Sequence, residues 1–477
     1  MKYKTIVGLE IHVELSTETK AFCSCKNSFG DEPNTNVCPV CLALPGGMPV
    51  LNRNVVNYTV MAGTAFNCKI NNKSKFDRKN YFYPDLTKGF QITQNDNAIC
   101  TDGYLEIETD EGKKKIGLFQ IQMEEDTAKS LHTEDNETLM DYNRCGVPLI
   151  EIVTKPDISS GKEARVFLEK LKSTLRFLNI SDCKMEEGSL RCDVNVNIKD
   201  METGEKTAIT EVKNLNSFRA VEKAIDYEVK RQIALLEKGE EELRTTRRWD
   251  DEKGETVIMR IKYTASDYRF VPEGDLPPVK ISDEEIEAIR KKMPELPEVK
   301  KERFMKEYNL SEYDAKVLTL TKDFANYFEE LAAKFKDYNL LTNWLTGEVL
   351  RRVEKDEDQN PILNFKYTKE NFLYLLQLIK GDKISNSAAK SVYRAMFEDG
   401  ADAKTYVEEK GLLQVSDEGA IEKIVDEVIG ENPSSVEDFK NGKTRVVGFL
   451  VGQVMKKSKG KANPQIVNKI VVEKLNK

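Results

Sequence analysis

Nowhere does this 477-residue chain come near the roughly 20 consecutive apolar residues that a membrane-spanning helix needs, so a membrane-embedded helical protein is excluded. Glycine (26) and proline (15) are too sparse for a collagen-like or low-complexity polymer, and neither an internal repeat nor a biased tract is visible. A Walker A loop, a dinucleotide-binding glycine fingerprint and a serine nucleophile elbow are all missing, so any nucleotide must be held in another way. Histidine and tryptophan occur twice each. The first residues, MKYKTIVGLEIHVEL, lack the basic-then-apolar layout of a signal peptide and alternate as a strand does.

What is present is ordinary globular material. Hydrophobic residues make up 39% and charged residues 32%, and the length suits about three domains. Acids outnumber bases 81 to 73, giving −8 at pH 7, which argues against a protein that coats nucleic acid or anionic membrane indiscriminately. The charge is unevenly spread. From Lys440 to Lys477 ten Lys or Arg face one acid, Glu473, so this 38-residue tail carries +9 and the preceding 439 residues −17. Its bases flank a glycine-punctuated helix (Gly448, Gly452) and the segment KKSKGKANP, which suits contact with phosphates; a solvated basic face would look the same.

Nine cysteines are too scattered for a disulfide framework, and a reducing, cytoplasmic setting is expected. Four of them fall at ligand spacing, Cys23-x-Cys25 and Cys38-x2-Cys41 with twelve residues between, as a tetrahedral four-thiolate Zn²⁺ site requires. Cys68, Cys100, Cys145, Cys183 and Cys192 read as core residues, and His132 as an exposed loop residue.

To about Lys280 short strand patterns alternate with turn signals, interrupted by amphipathic helices over Glu163–Asn179 and Phe218–Lys238, the latter stopped by Gly239. The class is α+β. After the proline-rich VPEGDLPPVKISDEE and a capping box from Ser282 to Glu285 the chain reads as helix: Asp283–Met293, Pro297–Tyr308, Asp323–Lys336, and beyond Asn360–Pro361, Lys369–Ile379, Ser385–Phe397, Ser416–Ile429, Ser434–Asn441 and Arg445–Ser458.

Chemistry concentrates in the strands. In VGLEIHVEL a two-residue period puts Glu10, His12 and Glu14 on one face, with Val7, Leu9, Ile11 and Val13 on the other. LRCDVNVNI places Arg191, Asp193, Asn195 and Asn197 together. GLFQIQMEED aligns Gln120, Gln122 and Glu124 and ends in Glu125 and Asp126, and VPLIEIV carries a lone Glu151, costly to bury unless paired or metal-bound. A half-polar sheet of this kind offers the carboxylate oxygens that Mg²⁺ takes, while Arg78, Lys79 and Arg191 supply charge against phosphate. A merely solvated sheet face would show the same alternation.

VGLEIHVEL, KFDRKNYFYPDLTKGFQITQ, MEED, NRCGVPLIEIV, KMEEGSLRCDVNVNI, EVKNLNSFRAVEKAIDYE and GFLVGQVMKKSKGKANPQ together resemble the B-subunit family of aspartyl/glutamyl-tRNA amidotransferases (GatB), from about Val7 to the end. The resemblance implies a tRNA-dependent, carbon–nitrogen bond-forming ligase. ATP activates Glu-tRNA(Gln) or Asp-tRNA(Asn) as an acyl phosphate, and ammonia arrives from an amidase subunit (GatA), clasped by a small third subunit (GatC). It implies residues 1–290 as a glutamine-synthetase-like antiparallel-sheet cradle carrying a structural zinc loop, 291–365 as a helical domain and 366–477 as a helical, tRNA-binding tail. Its Mg²⁺ ligands fall on Glu10, His12, Glu125 and Glu151. Strand parity favours Glu124, so both Glu124 and Glu125 are carried. Lys79 and Arg191 would balance phosphate charge, Glu211, Asn214 and Asn216 would orient substrate, and Lys456, Lys457, Lys459 and Lys461 would meet tRNA. Two other readings are a standalone Mg²⁺-dependent ATPase or kinase, and a non-catalytic zinc-ribbon RNA-binding protein.

Overall fold

Period-two alternation in long strands demands cover on one side only, and the computed structural model of the chain shows how that cover is supplied. It describes residues 2–261, 268–356, 359–414, 418–458 and 462–476. The chain forms two compact units, Met1–Pro297 and Glu298–Lys477.

Among the described residues, the main sheet of the first unit has nine strands: β1 (Tyr3–Glu14), β2 (Lys69–Ile70), β3 (Cys100–Thr109), β4 (Gly112–Glu125), β5 (Pro148–Thr154), β6 (Leu190–Asp200), β7 (Thr210–Lys213), β8 (Thr245–Asp250) and β9 (Glu255–Ile261). Their order across the sheet is β9-β8-β7-β6-β1-β5-β4-β3-β2, with β1 at the centre. Val7, Leu9, Ile11 and Val13 of β1, and Leu190, Cys192, Val194 and Val196 of β6, are buried at no more than 2% exposure, so the apolar face expected from the sequence is the core face.

Helices α1 (Arg53–Ala65), α2 (Gly161–Phe177) and α3 (Phe218–Lys238) close that face. The starts of α2 and α3 follow from serine caps. Ser160 accepts from the Glu163 N–H and Ser217 from the Ala220 N–H. Gly239 ends α3 at φ +68°, a left-handed conformation that a glycine adopts without steric cost. Helix α4 (Asp283–Lys292) carries the complete capping box at Ser282 and Glu285.

Two features depart from the sequence reading. Helix α1 is absent from it, because Val55, Val56, Thr59, Val60 and Thr64 lower helix propensity and packing against β3 and β4 decides instead. The sheet is mixed rather than antiparallel: β7 and β8 run parallel, because α3 lies between them in sequence and returns the chain to its starting edge. His132 is exposed as expected, but at the end of a short hairpin strand, Lys129–His132.

In the second unit the helices Pro297–Glu307, Lys322–Lys334, Lys369–Lys380, Asn386–Asp399, Pro433–Lys440 and Val446–Lys457 lie within two residues of their expected bounds. Another begins at Glu418 and runs to Glu431; the expected start at Ser416 lies outside the described residues. Short helices at Glu312–Leu318, Tyr338–Asn343 and Ala403–Glu409, a π-helical turn at Trp344–Val349 and the terminal helix Pro464–Leu475 add to the set. Ile421, Val425, Leu450, Val454, Val467 and Val471 form a core of their own at the C-terminal end.

Gly161 marks where α2 and α3 touch. A Cβ there would lie 2.4 Å from the Glu222 carbonyl oxygen and 2.8 Å from the Asp226 carboxylate. Gly161→Ala is expected to cost about 1–3 kcal/mol by overpacking, read as a lowered urea midpoint; an unchanged midpoint would show that the two helices separate freely.

Candidate active site

The wet face of the sheet is organised by register. Gln122 of β4 stands opposite Glu151 of β5, Glu151 opposite His12 of β1, and His12 opposite Arg191 of β6, so four polar side chains form one row across four strands. Glu124 lies two residues further along β4 on the same face. His12 Nε2 is 3.6 Å from Glu151 Oε1 and 3.8 Å from Glu124 Oε2. One ligand atom from each of the three falls within 4.8 Å of the others, close enough to share a cation.

Burial and neighbours set the charge states. Burial pushes the His12 imidazole down from its ordinary value despite Glu124, which leaves a neutral ring with a free lone pair at pH 7. Burial, and then the Glu124 charge, raise Glu151 well above the usual carboxylate range. The Glu124 carboxylate, 1% exposed, accepts from Gln91 (3.1 Å), Thr93 (2.5 Å) and Gln122 (2.9 Å).

A second carboxylate group lies beside the first. Glu10, opposite Asp193 in β6, joins Asp193 and Glu211 of β7 within 4.8 Å. Asn195 donates to Glu10 (2.8 Å), Thr246 to Glu211 (2.8 Å), and Lys213 pairs with Asp193 and with Glu211 (3.3 Å). Thus Glu10 stands with Asp193 and Glu211 rather than with His12. Asp193, which completes the acidic group, was legible only as a member of its alternating strand, and Lys213 was not singled out by any signal in the sequence.

Glu125 takes the opposite side of β4, as parity requires. Its carboxylate pairs with Lys88 at 2.5 Å and accepts from the Ile92 N–H at 3.0 Å, away from His12. Glu125 thus lies apart from His12 and Glu151, and Glu124 is the acid beside them. Of the expected cations, Lys79 is half-buried over the Tyr268 ring (5.0 Å), and its charge draws the Glu151 carboxyl downward. Arg191 is bound to Asp126 at 2.7 Å, and Arg78 is committed to Glu273 (2.8 Å) and Asp275 (3.1 Å). Burial opposes it, yet Arg191 and Arg144 hold Asp126 low, while burial and the Asp126 charge push Glu14 up to about 8. Asn214, at φ +62°, and Asn216 are exposed just beyond β7.

The four cysteines Cys23, Cys25, Cys38 and Cys41 also converge within 4.8 Å. Cys38 and Cys41 sulfurs are 3.8 Å apart, the edge of a tetrahedron with bonds of about 2.3 Å. A hydrogen bond from Cys23 and the Cys38 N–H hold the Cys41 thiol down to about 4 against burial, and that same hydrogen bond, with burial, raises Cys23. Burial brings Cys25 up to about 11. The other five cysteines are buried.

In the tail, Lys456 is exposed, whereas Lys457 is paired with Glu427 (2.8 Å) and Glu431 (2.7 Å). Lys459 and Lys461 lie outside the described residues.

Residues 5–287 match the model of the GatB/GatE catalytic domain, and residues 326–475 match that of the GatB domain. Curated relatives in Finegoldia magna, Caldicellulosiruptor bescii and Clostridium botulinum (strain Loch Maree) are each 52% identical, over 475, 479 and 478 residues and the whole of both chains. All three are named as the B subunit of an aspartyl/glutamyl-tRNA(Asn/Gln) amidotransferase. The resemblance drawn from the seven segments is thereby shown, and neither the standalone ATPase nor the zinc-ribbon reading is favoured.

The raised Glu14 gives a pH prediction. A carboxyl that titrates at 4.5 when unfolded and near 8 when folded favours the fold below pH 4.5 and forfeits that contribution as pH rises toward 8. In metal-free protein Glu14→Gln should therefore flatten the decline of the urea midpoint between pH 5 and 8. Parallel wild-type and variant profiles would show that Glu14 is ionised throughout.

Proposed function

The chain belongs to the family of aspartyl/glutamyl-tRNA amidotransferase B subunits, and on that premise we propose that its sheet face activates the side-chain carboxylate of Glu-tRNA(Gln) or Asp-tRNA(Asn) with ATP. The observation that carries the reading is the pair of carboxylate groups on one wet face, centred on the row Gln122–Glu151–His12–Arg191.

The donor sets fit divalent cations. His12, Glu124 and Glu151 offer one neutral imidazole and two carboxylates, and Glu10, Asp193 and Glu211 offer oxygen alone, the preference of Mg²⁺. Bound there, Mg²⁺ supplies positive charge against the phosphate oxygens. Lys79 adds a cation on the Glu151 side, and Arg191, fixed by Asp126, a second along the row. A substrate carboxylate oxygen bonds to the terminal phosphorus of ATP as the bridging P–O bond breaks. Ammonia nitrogen then bonds to the carbonyl carbon, phosphate leaves with its electron pair, and the nitrogen loses a proton. Lys213 keeps Asp193 and Glu211 from repelling one another, and Asn214 and Asn216 lie exposed at the rim, where they orient the aminoacyl end.

Family membership supports the remaining assignments. We assign 1–290 to a glutamine-synthetase-like cradle, 291–365 to a helical domain and 366–477 to a tRNA-binding tail. The partners are the amidase subunit (GatA) and the small subunit (GatC), in the cytoplasm, and Zn²⁺ on the four thiolates is structural. The subunit designation of the relatives accords with a multi-subunit enzyme.

Two experiments test this. Glu10→Ala or Glu151→Ala, in a complex reconstituted with amidase and small subunits, should abolish ATP-dependent amidation of both misacylated tRNAs and leave glutaminase activity in place. Normal amidation in both variants sinks the assignment. For the tail, deletion of 440–477 would remove the helices that carry Leu450, Val454, Val467 and Val471 from their core, so surface reversals are cleaner. Arg445→Glu with Lys456→Glu should weaken tRNA binding and reduce the steepness of its salt dependence, with Lys457→Ala doing less; unchanged affinity at low salt overturns the role.

A further inference from the structure

Gln122 is placed where no charged side chain would serve. It faces Glu151 across the β4–β5 pairing and precedes Glu124 by two residues on the same face. Its Nε2 has two hydrogens and uses them on two carboxylates, Glu124 Oε1 at 2.9 Å and Glu151 Oε2, with Thr93 Oγ1 more distant at 3.4 Å. Its Oε1 accepts from Gln120 Nε2, which fixes the way round the amide sits. The side chain is 8% exposed, so water competes little for these bonds.

The oxygens divide in a telling way. Gln122 binds Oε1 of Glu124 and Oε2 of Glu151, and the other oxygen of each is the one that approaches His12 Nε2, at 3.8 and 3.6 Å. One neutral amide thus pins one oxygen of each acid and leaves its mate directed at the imidazole. Two carboxylates this close repel, and either parting or protonation would relieve them. A lysine or arginine in place of the amide would bring its own charge and compete with a cation. A glutamate would add a third repulsion.

We propose that Gln122 is a positioning residue that sets the spacing and orientation of Glu124 and Glu151 and thereby preforms the cation site with His12. This rests on the cation reading of that group given above. Gln122 acts through the two acids to which it donates.

The test uses the full chain and Mn²⁺ as probe, followed by electron paramagnetic resonance, for wild type, Gln122→Met, Gln122→Asn and His12→Ala. Methionine keeps length and removes the donors; asparagine keeps the amide but is too short to reach both acids. Each should weaken Mn²⁺ binding by roughly 10- to 100-fold, the usual effect of losing a partner that orients metal ligands. In the reconstituted complex the Mg²⁺ concentration for half-maximal amidation should rise by a similar factor, with kcat recovered at saturating Mg²⁺. If Gln122→Met does not fold, the Gln122→Asn titration decides. A Mn²⁺ site lost in His12→Ala but within twofold of wild type in the Gln122 variants overturns the proposal alone. Absence of any His12-dependent Mn²⁺ site in the wild-type chain overturns the cation reading, and the proposal with it.

Discussion

The register between β1 and its two neighbours is the constraint on which the first unit rests. Side chains alternate with a period of two, so a slip of one residue in β1 would turn Ile11 and Val13 to water and drive Glu10, His12 and Glu14 into the core beneath α2 and α3. Each fully buried aliphatic side chain contributes roughly 1.5–3 kcal/mol, and each ionised group forced inward without a partner costs several. Core and site are therefore specified by the same pairing. The hydrophobic face need only be satisfied for Glu151, His12 and Arg191 to fall into line.

That arrangement concentrates acids beyond what the fold alone would favour. Local bases answer part of the excess: Lys213 serves Asp193 and Glu211, Arg191 serves Asp126, and Lys88 draws Glu125 to the other side of β4. Around Glu124 and Glu151 the partners are neutral amides and a hydroxyl, donors that steady a carboxylate without cancelling its charge. Burial, and then the neighbouring Glu124 charge, raise Glu151. His12 is kept neutral by burial.

How much of this was legible in the sequence depended on range. Local signals were sound: alternation in VGLEIHVEL and LRCDVNVNI gave the correct faces, Gly239 gave the end of α3 and the capping box at Ser282 and Glu285 the start of α4, and the short spacings of Cys23, Cys25, Cys38 and Cys41 placed four sulfurs together. Parity alone separated Glu124 from Glu125, where the resemblance had favoured the latter. Long-range pairing was not legible. Nothing in the chain between His12 and Glu151 says that β1 will lie against β5, nor that Glu10 will meet Glu211 across β6. Charge also reads as available until its partner is known, and Arg78 is spent on Glu273 and Asp275, nearly two hundred residues away. Helix α1 was hidden because its β-branched residues argue locally for a strand, and only its burial outweighs them.

The tail shows the same limit in another form. Counted along the chain it carries +9, but charge acts through what remains unpaired in space. Lys457 is drawn to Glu427 and Glu431, Lys474 to Glu422 and Asp426, and Lys469 to Glu418, all on the acidic helix Glu418–Glu431 against which the basic helices pack. These pairs are exposed and individually weak, yet together they cancel much of the nominal charge on that side. The helix Val446–Lys457 meanwhile shows solvent a stripe made of Arg445, Gly448, Phe449, Gly452 and Lys456, with open space beside both glycines. Neutralising one side leaves the field directional on the other. A directional field meets a polyanion at one orientation, a property that the net charge of −8 conceals.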